Sequence, residues 1–266
     1  MAPTEKRLTV PQLRAYKAEG RKVCMLTAYD YPVAELLDRS GVDAILVGDS
    51  LANVVQGRRT TVPVTLDEII YHGEMVVRAV QRAVVVVDMP FLTYHVGKFK
   101  AIENAGRILQ ETGCQAVKLE GSADQAEVVS ALAGAGIPVM AHVGLRPQSI
   151  NQLGSFRVQR DRDQLMQDAQ AVEAAGAFAI VMECLPSDIA STVTAAVSVP
   201  TIGIGAGIGC DGQVLVTHDM LGLTSGYIPR FVKRFADLQA VIGEAVGSYC
   251  EAVRNGSFPG EEQMYK

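Results

Sequence analysis

Short apolar runs rich in β-branched residues alternate along the chain with longer segments in which apolar residues recur at helical spacing. This is the pattern of parallel strands joined by crossover helices. The runs are Val23–Ala28, Ala44–Val47, Ala83–Val87, Ala116–Leu119, Pro138–Ala141, Ala179–Met182, Thr201–Ile204 and Val214–Thr217. Eight is the strand count of a (β/α)8 barrel. Between the runs, Thr65-Leu66-Asp67-Glu68 reads as a capping box, followed by an apolar face of Ile69, Val76, Val77 and Val80. Arg162 to Ala175 reads as a helix closed by Gly176. The interval between the last two runs is glycine-rich and too short for a full helix, and the tail Phe231–Arg254 is helical in period with Leu238, Ile242 and Val246 on one stripe. No linker tract, low-complexity segment or repeat beyond this alternation interrupts the order. The expectation is an α/β protein, a single (β/α)8 TIM barrel domain over residues 1–266 with a short N-terminal extension and a C-terminal helix. An open doubly wound sheet would leave the last third of the chain over-supplied with elements.

Composition narrows the class. The 24 Lys+Arg against 29 Asp+Glu give a formal charge of −5, which excludes a nucleic-acid-binding balance, and 48% hydrophobic residues supply a large core. The cysteines Cys24, Cys114, Cys184, Cys210 and Cys250 are odd in number and lack CxxC spacing, which fits a reduced, cytoplasmic setting. Charged residues such as Lys6, Arg7, Arg14 and Lys17 break up the N-terminal region, so no signal-peptide core is present. No uninterrupted apolar stretch approaches the ~18 residues that span a bilayer, so no membrane association is expected.

In a parallel α/β barrel the chemistry sits at the carboxyl ends of the strands, and here those ends are acidic. The runs lead into Asp49-Ser50, Asp88, Glu120 and Glu183, while His142 follows the fifth run and His218-Asp219 the eighth. Four carboxylates on one rim repel one another in a partly desolvated site, and a divalent cation relieves that repulsion. An oxygen-only ligand set suits Mg2+ or a similar hard ion. The competing interpretation is that each carboxylate caps the helix after its strand. Lys118 and Glu120 lie two apart and so face one side, placing Lys118 to meet a substrate carboxylate while Glu120 supports the metal; a buried Lys–Glu pair is the alternative. His142 either positions a substrate or is a satisfied structural group. Gly207, Gly209 and Gly212 match GxGxxG, but a strand-like run follows and not a helix, so they mark a tight turn or a close backbone approach, not a dinucleotide site. Neither a GxSxG elbow nor a cysteine with a partnered histidine motif is present.

The phrases Gly48-Asp49-Ser50-Leu51, Val54-Val55-Gln56-Gly57, Pro63-Val64-Thr65-Leu66-Asp67-Glu68, Asp88-Met89-Pro90-Phe91, Val117-Lys118-Leu119-Glu120-Gly121, His142-Val143-Gly144-Leu145, Pro147-Gln148-Ser149, Glu183-Cys184 and Gly203-Ile204-Gly205-Ala206-Gly207 resemble, in order from about Thr9 to Gly260, those of the 3-methyl-2-oxobutanoate (ketopantoate) hydroxymethyltransferases. The resemblance implies a barrel of the phosphoenolpyruvate/isocitrate lyase group. It also implies transfer of a one-carbon unit from 5,10-methylenetetrahydrofolate to 3-methyl-2-oxobutanoate, giving 2-dehydropantoate on the pathway to pantothenate. It further implies one Mg2+ held by Asp49, Asp88 and Glu120, directly or through water, and an oxo acid contacting Asp49, Ser50, Asp88 and Lys118. Glu183 is then the general base, and a homo-oligomer, commonly a decamer, is expected.

The sequence departs from that pattern at Asn53, Arg58-Arg59, Ser122, Arg146 and the charged run Arg157–Asp163, where folate contacts are in question. The chemistry asks for a base that removes the C3 proton of the oxo acid, with a cation stabilising the enolate. Partial burial beside Met182 and Leu185 is expected to raise the Glu183 pKa, and His142 is expected to orient the oxo acid. A magnesium-dependent C–C lyase of the same barrel group and a non-catalytic metabolite-binding protein are the alternatives; no cysteine-bearing loop of the isocitrate lyase type is visible.

Overall fold

The computed structural model describes residues 6–155 and 157–265; residues 1–5, 156 and 266, which the 1–266 domain expectation includes, lie outside the described residues. The chain falls into two compact units, Met1–Val216 and Thr217–Lys266. In the first unit eight parallel strands close into a barrel in chain order. They are β1 (Val23–Thr27), β2 (Ala44–Val47), β3 (Val84–Asp88), β4 (Ala116–Lys118), β5 (Val139–Gly144), β6 (Ala179–Glu183), β7 (Thr201–Ile204) and β8 (Gly212–Leu215). The seam pairs Val23 with Gly212 and Leu26 with Leu215. Helices of the unit are α1 (Val10–Ala15), α2 (Tyr31–Arg39), α3 (Leu51–Val54), α4 (Leu66–Ala79), α5 (Lys98–Thr112), α6 (Ala126–Gly134), α7 (Ile150–Leu153), α8 (Arg162–Ala174) and α9 (Ser187–Ala196).

Strand alternation sorts the core into two layers. Ile45, Val47, Val85, Val87, Val117, Ile180 and Met182 pack outward with residues of the helices. Their neighbours Met25, Ala44, Leu46, Val84, Val86, Ala116, Met140, Val181, Ile202 and Val214 form a separate inner cluster, completed by Leu13 of α1 and Tyr16 just beyond it. Burial on both faces explains why the strands read as unbroken apolar runs. The expected capping box on α4 is present: Thr65 Oγ1 accepts from the Glu68 backbone N–H at 3.2 Å, and a Glu68 carboxylate oxygen accepts from Thr65 N–H at 2.7 Å.

Three elements differ from expectation by two or more residues at a boundary, and β1, β3, β4 and β6 by one. Strand β5 runs on to Gly144, so His142 lies within it and not past its end. Strand β8 ends at Leu215, and Thr217–Met220 form a helix (α10), so His218 and Asp219 are helical and not strand-end residues. The closing helix α11 spans Leu238–Asn255 instead of starting at Phe231, because Asp237 caps it by accepting from Ala240 N–H. The expected stripe of Leu238, Ile242 and Val246 falls on it. In this second unit the segment before α11 returns to α10 through Phe235 N–H to Met220 O and Leu238 N–H to Leu221 O.

No helix joins β7 to β8. The glycine ribbon lies flush on α9 instead: a Cβ at Gly207 would strike Ser187, and one at Gly209 would strike Ser191. Gly207 also has φ +81, a left-handed conformation that glycine adopts without strain. Among the described residues all five cysteines are free thiols, and no helix is long and apolar enough to cross a membrane.

Candidate active site

The period of two that builds the inner cluster also builds the site. Following Val84 and Val86 on one face of β3 comes Asp88; following Ala116 on β4 comes Lys118; Met140 on β5 precedes His142; and Ala179 and Val181 on β6 precede Glu183. Each polar residue continues an inward-facing series to the carboxyl end of its strand. Glu120 extends the β4 series two residues beyond the strand, where Gly121 N–H still bonds to His142 O at 3.2 Å. Asp49 lies outside this period. It sits on the turn after β2, held by its backbone N–H donating to Asp88 Oδ2 at 3.0 Å. Gly48 permits that turn, since a Cβ there would lie 3.0 Å from Ser50 Oγ and 3.3 Å from Asp88 Oδ2.

Asp49, Asp88, Lys118, Glu120 and His142 are all buried. Lys118 Nζ donates to Asp88 Oδ1 at 2.7 Å, so the buried cation pairs with Asp88 of the neighbouring strand and not with Glu120. The sheet register sets this partner, since Asp88 and Lys118 are directly opposite across β3 and β4. Ser50 Oγ lies 2.8 Å from the buried Tyr29 hydroxyl. None of the four carboxylates caps the helix after its strand; the positions before α3, α5, α6 and α9 are Ser50, Gly97, Gln125 and Pro186.

Burial and mutual repulsion raise the pKa values of Asp88, Glu120 and Glu183. Burial lifts Asp88 to about 6, against the pull of Lys118. Glu120 is held well above the usual carboxylate range by burial and then by Asp49. Glu183 is raised to about 8, chiefly by burial, with Lys118 opposing and Asp49 and Asp88 adding. Burial alone would lower Lys118, yet Asp88, Glu120 and Asp49 more than reverse it, so the ammonium stays charged. His142 Nε2 donates to Leu145 O at 2.7 Å, leaving Nδ1 as an acceptor with no hydrogen-bond partner among the described residues. Its pKa is held well below the ordinary histidine value, by burial first and then by Lys118, so the ring is neutral. Glu183 Oε2 stands 3.6 Å from His142 Nε2, with the Glu183 side chain 16% exposed.

Four carboxylates thus face one ammonium, leaving the site short of positive charge. Asp49 Oδ1 and Glu120 Oε1 accept no hydrogen bond among the described residues, whereas the other oxygen of each is occupied. These residues suit a hard divalent cation. Among the described residues no three acidic, His or Cys side chains converge as a complete ligand set, so water or substrate would fill most coordination positions.

The strand-end reading missed Gln148, in the loop after β5, and Tyr94, beyond β3. The Tyr94 hydroxyl lies 2.7 Å from Gln148 Oε1 and 2.8 Å from Glu120 O. Neither is a strand-end residue, and an uncharged side chain in a loop gives no periodic signal. A cavity of about 340 Å³ opens beside them, lined by Phe91, His95, Glu120, Asp124, Arg146 and Gln148 among others.

Comparison with known proteins agrees with the barrel fold. Among solved structures, the chain is similar to a 2,3-dimethylmalate lyase of the PEP mutase/isocitrate lyase superfamily, with a TM-score of 0.61, 16% identity, and coverage of 97% of this chain and 92% of that one. A 3-methyl-2-oxobutanoate hydroxymethyltransferase of Desulforapulum autotrophicum is 56% identical over 98% of this chain and 99% of its own length. One of Rhodopirellula baltica is 53% identical over the full length of both. The sequence profile of ketopantoate hydroxymethyltransferase matches residues 7–261. The chain therefore belongs to the ketopantoate hydroxymethyltransferase family.

Proposed function

We propose that this protein is an enzyme that transfers the one-carbon unit of 5,10-methylenetetrahydrofolate to 3-methyl-2-oxobutanoate, yielding 2-dehydropantoate and tetrahydrofolate, the first step of pantothenate synthesis. The observation that carries the reading is Glu183. Its carboxyl group makes no hydrogen bond to the described residues, and its pKa of about 8 gives it the basicity to take a proton from carbon. It shares the barrel mouth with the buried Asp88–Lys118 pair.

Asp49, Asp88 and Glu120 would hold Mg2+, directly or through water. The bound cation would polarise the oxo oxygen and offset charge collecting there as C3 is deprotonated. Lys118 meets the oxo acid with its ammonium, and Asp49, Ser50 and Asp88 border it. Glu183 accepts the C3 proton. C3 then bonds to the methylene carbon of the folate; both of that carbon's bonds to nitrogen, at N5 and at N10, break. Water supplies the hydroxyl of the product, and the proton taken from C3 and the remaining water proton go to the two nitrogens of tetrahydrofolate. Neutral His142 contributes the face of its ring and an acceptor nitrogen, a role in orientation and not in charge. The protein works in the cytoplasm as a homo-oligomer, a decamer by its resemblance to the family.

Proton NMR of 3-methyl-2-oxobutanoate in D2O tests the reading. Loss of the C3–H signal with protein and Mg2+, abolished by EDTA and followed by 2-dehydropantoate when 5,10-methylenetetrahydrofolate is added, is the expected result. Neither exchange nor product would overturn it.

A further inference from the structure

Gln148 is buried, 3% exposed, on the loop after β5, and it touches two of the site's carboxylates at once. Its side-chain Nε2 donates to Asp49 Oδ2 at 2.9 Å, and its backbone N–H donates to Glu120 Oε2 at 2.9 Å. Among the described residues these are the only hydrogen bonds that either carboxylate group accepts. Asp88, by contrast, receives both Lys118 and a backbone N–H. One residue from a third loop therefore sets the rotation of two acids that come from β2 and β4.

The amide itself has one orientation. The second Nε2 hydrogen goes to Met89 O at 3.1 Å, and Oε1 lies 2.7 Å from the Tyr94 hydroxyl. Turning the amide over would set Oε1 against two acceptors, Asp49 Oδ2 and Met89 O. The single Tyr94 hydroxyl proton is shared between Gln148 Oε1 and Glu120 O, which lies 2.8 Å from the hydroxyl. The result is a closed set of contacts in which one oxygen of each acid is occupied and the other, Asp49 Oδ1 or Glu120 Oε1, is left for a ligand.

We propose that Gln148, oriented by Tyr94, is the positioning residue that presents the Asp49 and Glu120 carboxylates to the divalent cation. The inference rests on the metal-holding role given to these acids under the proposed function. Groups that orient metal ligands by hydrogen bonds change metal affinity by roughly 10–100-fold when removed. Gln148→Met keeps the side-chain length and the backbone N–H to Glu120 while deleting the donor to Asp49. Gln148→Glu places an acceptor against Asp49. Tyr94→Phe leaves Gln148 in place and removes only the hydroxyl that orients it.

The test is calorimetric titration of the whole purified protein with Mn2+, paired with thermal melts of the cation-free forms. The expected result is a dissociation constant raised roughly 10–100-fold in Gln148→Met and at least as much in Gln148→Glu, with a smaller rise in Tyr94→Phe. The melting temperature of cation-free Gln148→Met should drop modestly, because the buried Asp49 carboxylate and Met89 O lose their donor. The loss of affinity in the folded protein is the readout that a merely structural glutamine would not move. If Gln148→Met fails to fold, Tyr94→Phe carries the test alone. Affinities within twofold of wild type in every folded variant would overturn the inference and leave the proposed function standing. A wild-type protein that binds no Mn2+ would overturn the metal-holding role itself, and the inference with it.

Discussion

Lys118 and Asp88 face each other directly across adjacent strands, with Nζ 2.7 Å from Oδ1 and side chains only 5% and 2% exposed. A buried pair of this kind contributes little net stability against a well-packed apolar pair, but breaking it leaves one charge without a partner. Lys118→Met should therefore lower unfolding free energy by about 3–5 kcal/mol in the cation-free protein. Because burial lifts Asp88 to about 6, the loss should be smaller below that pH, where the carboxyl is neutral. Urea titrations at pH 5 and pH 8 measure this; equal midpoints for both proteins at pH 8 would contradict it.

Glu183 links stability to pH with an uncommon sign. Its folded pKa of about 8 lies above the ~4.3 of a free glutamate, so between these values the folded chain holds a proton that the unfolded chain has released. Its contribution thus falls as pH rises through that window and levels off above about 8. Glu183→Gln removes this penalty, so in cation-free buffer its melting temperature should gain on wild type steadily from pH 5 to pH 8. Parallel curves would show that the carboxyl is not shifted. In the same variant C3 exchange should drop by roughly 10²–10⁴-fold. Wild-type exchange should rise with pH toward a plateau, with a midpoint brought below 8 by the bound cation.

Gly144 closes β5 at φ +99, and a Cβ there would strike Glu183 O and the Leu185 side chain. Gly144→Ala should destabilise by about 1–3 kcal/mol from the backbone conformation alone, with the clash adding to this. It should also slow C3 exchange, because the displaced atoms belong to the base and its neighbour. Calorimetry and exchange rates on one sample check both. An alanine variant with wild-type melting and exchange would show that the strand end yields freely.

Much of this site was legible because strands enforce a period of two. Once the inner faces were apolar at Val84, Val86, Ala116, Met140 and Val181, the polar residues continuing each series had to gather at one end of the barrel. What the period does not encode is the neighbour across the sheet: Lys118 shares a face with Glu120 but shares a register with Asp88, and the ion pair followed the register. The period of two did not point to Asp49, which was legible from its place after an apolar run and from the phrase Gly48-Asp49-Ser50-Leu51, since a turn and the missing side chain at Gly48 place it. Gln148 stood only inside the phrase Pro147-Gln148-Ser149 and carried no periodic signal, because its importance lies in four contacts to residues 28 to 99 positions away. The boundaries at β8 and α11 moved because local capping by Asp237 and the short turn of α10 override the apolar pattern.

Leu13 and Tyr16 belong to the same inner cluster as Val23, Met25, Ala44 and Val84, and this gives the barrel an apolar column beneath its acidic mouth. Such a column responds weakly to charge, so almost no dielectric screening reaches Asp88, Lys118 or Glu183 from below. Whatever enters from the loop side, whether water, cation or oxo acid, then adds to the field these groups already exert on one another. The electrostatics of the site are in that sense one-sided, and each ligand that binds resets them for the next.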